Sequence, residues 1–142
     1  MIGNPHGRIR VHRIFETSLY GSDVDELRAF YGRVLGLSPI ARFGSLGVAL
    51  RCGQGVLLLF DPDESAESGG TVPPHGARGP GHVAFTAARE ELPAWRTHLA
   101  DCGVSIETEV EWEDGHSIYF RDPAGNSVEL ATPRIWGFEP EE

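Results

Sequence analysis

The sequence contains no lysine, and all twelve of its basic residues are arginines. Lysine is the side chain that forms Schiff bases and acts as an amine base, so both kinds of chemistry are excluded. The arginines are scattered along the chain, whose net charge is −9 at pH 7. Because this charge repels the phosphates of nucleic acids, we expect no nucleic-acid partner.

Cysteine and long apolar segments are also scarce. Cys52 and Cys102 are far apart and form no C-x-x-C pattern, which indicates two structural thiols rather than a disulfide or a two-cysteine metal site. No apolar run is long enough to span a bilayer. The N-terminal residues lack the apolar stretch and cleavage site of a secretion signal. We therefore expect a cytoplasmic protein with no membrane partner.

The 142 residues are enough for one domain with a buried core, and the order of apolar segments divides it into two repeats. The first repeat spans about residues 9–62 and begins with a strand-like segment. A helix follows, with Asp23 as a candidate N-cap and Gly36 as the glycine that ends it. Three short strand candidates complete this repeat, at residues 39–43, 47–51 and 56–60.

A polar segment rich in proline and glycine, residues 63–80, then separates the two repeats as a linker or a loop near a site. The second repeat spans about residues 81–133, and a tail follows over residues 134–142. Its first strand leads into a helix that Gly103 ends. Further strand candidates lie at residues 104–107, 109–112, 117–121 and 127–131.

The two repeats can be aligned with each other, and each has the order βαβββ. We therefore predict an α+β fold in which the repeats form a curved, eight-stranded mixed sheet. This sheet makes a cup with the helices on its outer face. Alternate side chains of a strand share a face. The apolar residues that pack under the helices thus direct a set of polar residues into the cup: Glu16, Ser18, Tyr20, His82, Ser117, Tyr119, Arg121 and Glu129.

The alignment places Glu16 opposite His82 on the first strands and Leu58 opposite Glu129 on the last strands. A set of carboxylate, histidine and carboxylate with open positions suits one divalent ion of Mn, Ni, Zn, Co or Fe. The alternatives are that Glu129 is a surface carboxylate, that His82 is a core histidine with its hydrogen bonds made, and that Glu16 only forms hydrogen bonds.

Further residues are candidates for catalysis or for substrate binding. His116, at the lip of the cup, is a candidate general base, and Tyr119, Glu16 and Glu129 are the other catalytic candidates. The substrate-binding candidates are Tyr20, Trp112, Ser117 and Arg121. Arg121 suits a carboxylate or phosphate, although it can equally pair with a nearby acid.

Three segments resemble the vicinal-oxygen-chelate superfamily, which includes glyoxalase I, fosfomycin-resistance proteins, bleomycin-binding proteins and extradiol dioxygenases. They are SDVDELRAFYGRVLGL, GPGHVAF and SIYFRDPAGNSVEL, and together they span most of residues 9–133. The last is the most specific, because its turn precedes the strand that carries the family's glutamate ligand.

The resemblance implies that His82 and Glu129 are metal ligands and that the protein is a homodimer. The sequence leaves open whether the two repeats of one chain close the cup or pair with those of a partner. The first-strand ligand of the family is usually histidine, and Glu16 stands there in this chain. Leu58 cannot supply the fourth protein ligand that resemblance to glyoxalase I implies.

The leading hypothesis is a metal-dependent enzyme that acts on a small oxygen-rich substrate by lyase, isomerase, transferase or dioxygenase chemistry. The alternative is a metal-free protein of the bleomycin-resistance type. Such a protein would sequester a small molecule against Trp112, Tyr119 and Tyr20.

Overall fold

The protein was analysed as a computed structural model that describes residues 9–67 and 69–140. The expected N-terminal arm, residues 1–8, lies outside this range. The first repeat contains β1 (Glu16–Tyr20), α1 (Val24–Leu35), β2 (Ser38–Phe43), β3 (Gly47–Cys52) and β4 (Gly55–Phe60). A short helix, α2 (Pro62–Ser65), begins the linker. The second repeat contains β5 (His82–Thr86), α3 (Leu92–Asp101), β6 (Thr108–Trp112), β7 (Gly115–Arg121) and β8 (Ser127–Ala131).

The predicted α+β fold of two βαβββ repeats is confirmed, and each repeat forms its own four-stranded sheet. The strand orders are β1-β4-β3-β2 and β5-β8-β7-β6, with the first pair of each sheet parallel and the other pairs antiparallel. Glu16 pairs with Val56 as His82 pairs with Ser127, which places Glu16 and His82 at equivalent positions. The eight strands are thus divided between two separately hydrogen-bonded sheets.

Local sequence signals account for the bounds of α1. Asp23 accepts a hydrogen bond from the backbone N–H of Glu26 at 3.0 Å and so caps the first turn. Gly36 ends the helix at φ 73°, a conformation that a residue with a Cβ atom rarely adopts. The buried face between these ends consists of Val24, Leu27, Phe30, Tyr31 and Val34.

Two segments that the alternation of residues predicts as strands are not strands along their whole length. Residues 9–15 precede β1 without joining it. Residues 104–107 form no strand, although Val104 and Ile106 pack against the core and the backbone N–H of Glu107 donates to the carbonyl of Tyr119 at 2.7 Å. Alternation records which side chains are buried, so it cannot distinguish a strand from an extended segment that has no partner strand.

One apolar core joins the outer faces of both sheets. It contains α1 residues together with Ile118, Phe120 and Val128 of the second repeat. The rings of Phe30 and Phe120 lie 6.3 Å apart across the boundary between repeats. Because the core lies on the helix side of each sheet, the opposite faces of the two sheets remain open.

The turn between β7 and β8 links the two repeats through hydrogen bonds. Asp122 accepts the backbone N–H groups of Ala124 and Asn126, at 2.9 and 3.0 Å, and the hydroxyl of Tyr31 at 2.8 Å. Asn126 accepts the N–H of Gly81 at 2.7 Å and donates to the carbonyl of Tyr20 at 3.3 Å. The DPAGN segment thereby fixes the start of β8 relative to both first strands.

In the part of the chain described, no helix combines the length and apolar character needed to cross a membrane.

Replacing Tyr31 by phenylalanine tests the hydrogen bond between the repeats. Tyr31 is fully buried, and burial followed by the charge of Asp122 raises the pKa of its hydroxyl. The change leaves the buried Asp122 carboxylate with one donor fewer, so we expect Tyr31→Phe to lower the free energy of unfolding by about 1–3 kcal/mol in urea titrations. Tyr20→Phe is the matched control, with a change within about 0.5 kcal/mol, because its hydroxyl lies near the surface. A free energy of unfolding for Tyr31→Phe equal to that of the wild type would show that the Tyr31 bond contributes nothing.

Candidate functional site

A buried carboxylate and a histidine ring face each other on the open side of the second sheet. Glu129 lies on the inner strand β8 and is 6% exposed, whereas His82 lies on the edge strand β5. The distance from His82 Nε2 to Glu129 Oε1 is 3.3 Å. His82 Nδ1 lies 3.0 Å from the carbonyl oxygen of Ser127.

These contacts determine where the imidazole proton lies. A carbonyl oxygen only accepts hydrogen bonds, so Nδ1 is the donor to Ser127. In the neutral ring, Nε2 then presents a lone pair to the carboxylate oxygen. Two acceptors facing each other are stable only with a proton or a metal cation between them. A divalent ion therefore fits this pair, with a carbonyl fixing the tautomer of the liganding histidine as in known metal sites.

The second oxygen of Glu129 is fixed by a chain of two donors. Ser117 Oγ, which is fully buried, donates to Glu129 Oε2 at 2.5 Å. Trp112 Nε1 donates to the same hydroxyl at 2.9 Å. The indole N–H can only donate, so it directs the hydroxyl hydrogen of Ser117 towards Glu129. Oε1 therefore remains available to the open side.

Tyr119 completes this group on the neighbouring strand β7. Its ring stacks on His82 with centroids 6.5 Å apart, and it pairs across the sheet with Glu129. Burial, with the charge of Glu129 as the next cause, raises the pKa of the Tyr119 hydroxyl. Tyr119 is therefore a neutral hydrogen-bond donor at physiological pH.

The group lies in a cavity of about 910 Å³, which we call the pocket. Side chains of the sheet line its floor: His82, Ala84, Thr86, Tyr119, Glu129 and Ala131. Trp112 and the C-terminal residues Trp136 and Phe138 line its sides. From the sequence, the last two residues are expected to cap the core or an interface rather than to touch a ligand, whereas the structure places both in the lining of the pocket.

Glu16 does not join this group within one chain. It is exposed on the edge strand of the first sheet, and over residues 9–67 and 69–140 no three His, Cys, Asp or Glu side chains are arranged to hold a metal ion. Tyr20 is also on the first sheet, where its hydroxyl lies 2.6 Å from His75 Nδ1. The expected meeting of Glu16, His82 and Glu129 at one centre is therefore not made within a single chain.

The expected placement of His116 at the lip of the cup is corrected by the structure. His116 points to the helix side of β7, opposite Ser117, because neighbouring residues of a strand face opposite ways. Its ring nitrogens lie 2.6 Å from Glu111 Oε1 and 2.6 Å from Glu109 Oε1. The ring is thus held by two acids away from the pocket.

Arg121 is likewise directed away from the pocket. Its Nε and Nη2 donate to the two carboxylate oxygens of Glu107 at 2.7 and 3.0 Å, and its Nη1 donates to the carbonyl of Gly125 at 3.1 Å. Of the two interpretations of Arg121, pairing with a nearby acid is the one that its position supports.

Comparison with known proteins places this geometry in context. The family model described as the Glyoxalase/Bleomycin resistance protein/Dioxygenase superfamily matches residues 13–130. A protein of Serratia marcescens named glutathione transferase FosA is 36% identical over 109 residues, which are 77% of this chain and 72% of that protein. A crystal structure of a lactoylglutathione lyase from Agrobacterium tumefaciens has a TM-score of 0.85 and 40% identity, covering 89% of this chain and 97% of that one.

The acid pair around His116 predicts a specific loss of stability in acid. The hydrogen bonds from Arg96 lower the pKa of Glu109 from its ordinary value of 4.5 to about 2, and a hydrogen bond with His116 contributes to the same shift. A lowered pKa stabilises the fold above pH 4.5, and this contribution is lost as the pH falls towards 2. We expect Glu109→Gln to cost about 1–3 kcal/mol at pH 7, after allowance for solvent screening, and to flatten the fall in unfolding free energy between these pH values.

Urea titrations from pH 7 down to pH 2.5 measure this difference, with Glu113→Gln as the control for an exposed acid of the same hairpin. If the wild type and Glu109→Gln lose stability in parallel over this range, folding does not lower the pKa of Glu109.

Proposed function

Because the chain belongs to the Glyoxalase/Bleomycin resistance protein/Dioxygenase superfamily, we propose that it is a metal-dependent enzyme of the vicinal-oxygen-chelate type that acts on a small oxygen-rich substrate. The observation that carries the proposal is the pair of acceptors formed by His82 Nε2 and Glu129 Oε1, 3.3 Å apart at the floor of an open cavity. A divalent ion held there by His82 and Glu129, Mn, Ni, Zn, Co or Fe, would supply Lewis-acid stabilisation of negative charge on the substrate.

We propose that Glu16 of the partner subunit supplies the third ligand in a homodimer. Glu16 has the position on β1 that His82 has on β5, and both strands are edge strands with one unpaired side. In a two-fold dimer, the first sheet of one subunit can face the second sheet of the other, which creates two equivalent sites.

Exposed apolar residues next to β1 support this assembly. Ile9, Val11, Ile14 and Phe15 are 100%, 91%, 84% and 61% exposed in the single chain. Four exposed large apolar side chains within seven residues, although basic residues and a histidine lie between them, are unusual on the surface of a monomer and are typical of a subunit interface.

The protein's own side chains have distinct tasks in this proposal. Ser117 and Trp112 hold the Glu129 carboxylate in one orientation. Tyr119 offers a hydroxyl donor towards the same space, where a substrate oxygen that gains charge would accept its hydrogen bond. Glu16 or Glu129 moves a proton to or from the substrate.

Similarity to proteins named glutathione transferase and lactoylglutathione lyase favours transferase or lyase chemistry over oxygenation.

The aromatic sides of the pocket support a second candidate, a metal-free protein that sequesters a small molecule. Trp112, Trp136 and Phe138 expose apolar surface to the cavity, as in sites that hold ligands mainly by burial. Metal content distinguishes the two candidates.

Metal analysis by mass spectrometry, on protein purified without an affinity tag, tests the proposed enzyme. We expect near-stoichiometric metal in the wild type and its loss in His82→Ala and Glu129→Gln. Glu139→Gln is the matched control and should keep its metal, because Glu139 lines the pocket but pairs with Arg134 at 3.2 Å. No metal in the wild type after incubation with Mn, Ni, Zn, Co and Fe(II) would contradict the enzyme and favour the sequestering protein.

A further inference from the structure

We propose that the pocket selects ligands in which the oxygen pair is attached to a planar aromatic group, and that it discriminates against ligands that carry a further anionic group beyond the oxygen pair. The inference rests on the proposed function, since it concerns the rest of the molecule whose oxygens reach the His82 and Glu129 centre. Three independent features lead to it: the aromatic sides, the placement of the arginines and the charge of the ligand set.

The aromatic side chains on the sides of the pocket are largely exposed in the single chain, so they do not form part of the core. Trp136, Phe138 and Trp112 are 81%, 68% and 44% exposed, and all three line the cavity beside His82 and Glu129. Removing such surface from water stabilises a complex in proportion to its area, and aromatic rings add a geometric preference for flat partners. An aromatic group next to the chelating oxygens would cover these rings.

The arginines of the second repeat and the tail are already paired with glutamates. Each arginine between residues 82 and 140 forms an ion pair with a glutamate: Arg89 with Glu111, Arg96 with Glu109, Arg121 with Glu107 and Arg134 with Glu139. The pocket lining includes Glu129 and Glu139 but none of these arginines, and the sequence has no lysine. A carboxylate or phosphonate on the ligand, in addition to its chelating oxygens, would therefore lose its hydration without gaining an unpaired cationic side chain of the pocket lining.

The ligand set adds to this preference. Two carboxylates, from Glu129 and from Glu16 of the partner subunit, cancel the charge of a divalent ion, and His82 is neutral when it binds a metal. A set with histidine in place of Glu16 would leave one positive charge to attract an anion. The net charge of −9 opposes anions over a longer range as well.

The first sheet, which forms the opposite side of the assembled site, has a similar character. The rings of Tyr20 and Phe60 are 6.4 Å apart, and Phe43 stacks on Phe60 at 6.3 Å. Arg51 shares the face of Glu16 through the pairing of both residues with Val56. Its Nε donates to the carbonyl of Gly53 at 3.1 Å. Arg51 is the arginine of this face that could pair with an anionic group of a ligand. An Arg51 variant is therefore part of the experiment.

A series of hydroxamic acids tests the inference on the Mn²⁺-loaded protein, since all members share one chelating group. We expect benzohydroxamic acid to bind about tenfold more tightly than acetohydroxamic acid, because only the former has a ring. It should also bind about tenfold more tightly than 4-carboxybenzohydroxamic acid, which carries an additional negative charge. The cationic 4-(aminomethyl)benzohydroxamic acid should bind at least as tightly as the unsubstituted compound. Calorimetry measures each Kd.

Variants of one exposed residue separate the two parts of the preference. Trp136→Ala should weaken benzohydroxamic acid about tenfold and leave acetohydroxamic acid unchanged. Trp136→Arg should reverse the discrimination and favour the 4-carboxy compound. Val72→Ala removes a similarly exposed apolar side chain, 67% exposed, outside the pocket and should change neither Kd. Arg51→Gln should leave the order of affinities unchanged.

The outcomes distinguish failure of the inference from failure of the proposed function. Protein that takes up Mn²⁺ but binds acetohydroxamic acid as tightly as benzohydroxamic acid, or prefers the 4-carboxy compound, overturns the inference and leaves the metal enzyme standing. If the wild type prefers the 4-carboxy compound and Arg51→Gln no longer binds it, Arg51 is the residue that binds the anionic group. Protein that takes up no Mn²⁺ in the parallel metal analysis overturns both.

Discussion

Burying an ionised carboxylate costs several kcal/mol unless its oxygens are paired, and Glu129 is 6% exposed on an inner strand. Ser117 satisfies one oxygen, and Trp112 fixes the direction of the serine hydroxyl. The other oxygen faces His82 Nε2 at 3.3 Å, while Nδ1 of the same ring donates to the carbonyl of Ser127. Either a proton on Nε2 or a metal ion between the two atoms completes this pair, and the chemistry proposed for the protein depends on the metal ion.

The fold places this carboxylate but does not close the site around it. Asp122 and Asn126 connect the start of β8 to Tyr31 and to both first strands, so the two repeats share one core on their helix sides. The same arrangement leaves the other face of each sheet open. A second subunit can bring Glu16 of the partner subunit opposite His82, and it would also cover the apolar segment before β1.

Strand alternation was sufficient to predict the repeats, the equivalence of Glu16 and His82, and the facing of His82 and Glu129, because these depend only on residue order. It could not predict how the two sheets pack, so it left open whether Glu16 meets His82 and Glu129 within one chain or between two chains. His116 was wrongly expected at the lip of the cup, because its neighbour Ser117 faces the open side of the sheet and adjacent strand residues face opposite sides. Arg121 has inward parity, yet Glu107, fourteen residues earlier, binds its side chain. Trp136 and Phe138 follow the last strand, where no periodic pattern indicates a direction.

Subunit mixing tests the central claim, a metal site completed by Glu16 of the partner subunit, most directly. Glu16→Ala and His82→Ala subunits with different affinity tags would be co-expressed, and the mixed dimers isolated, cleaved from their tags and analysed for metal. Each parent homodimer lacks a ligand in both sites, whereas a mixed dimer contains one site with His82, Glu129 and the partner's Glu16. The account predicts about half of the wild-type metal content in the mixed dimer and little in either parent. A mixed dimer that binds no more metal than its parents would contradict a site shared between subunits.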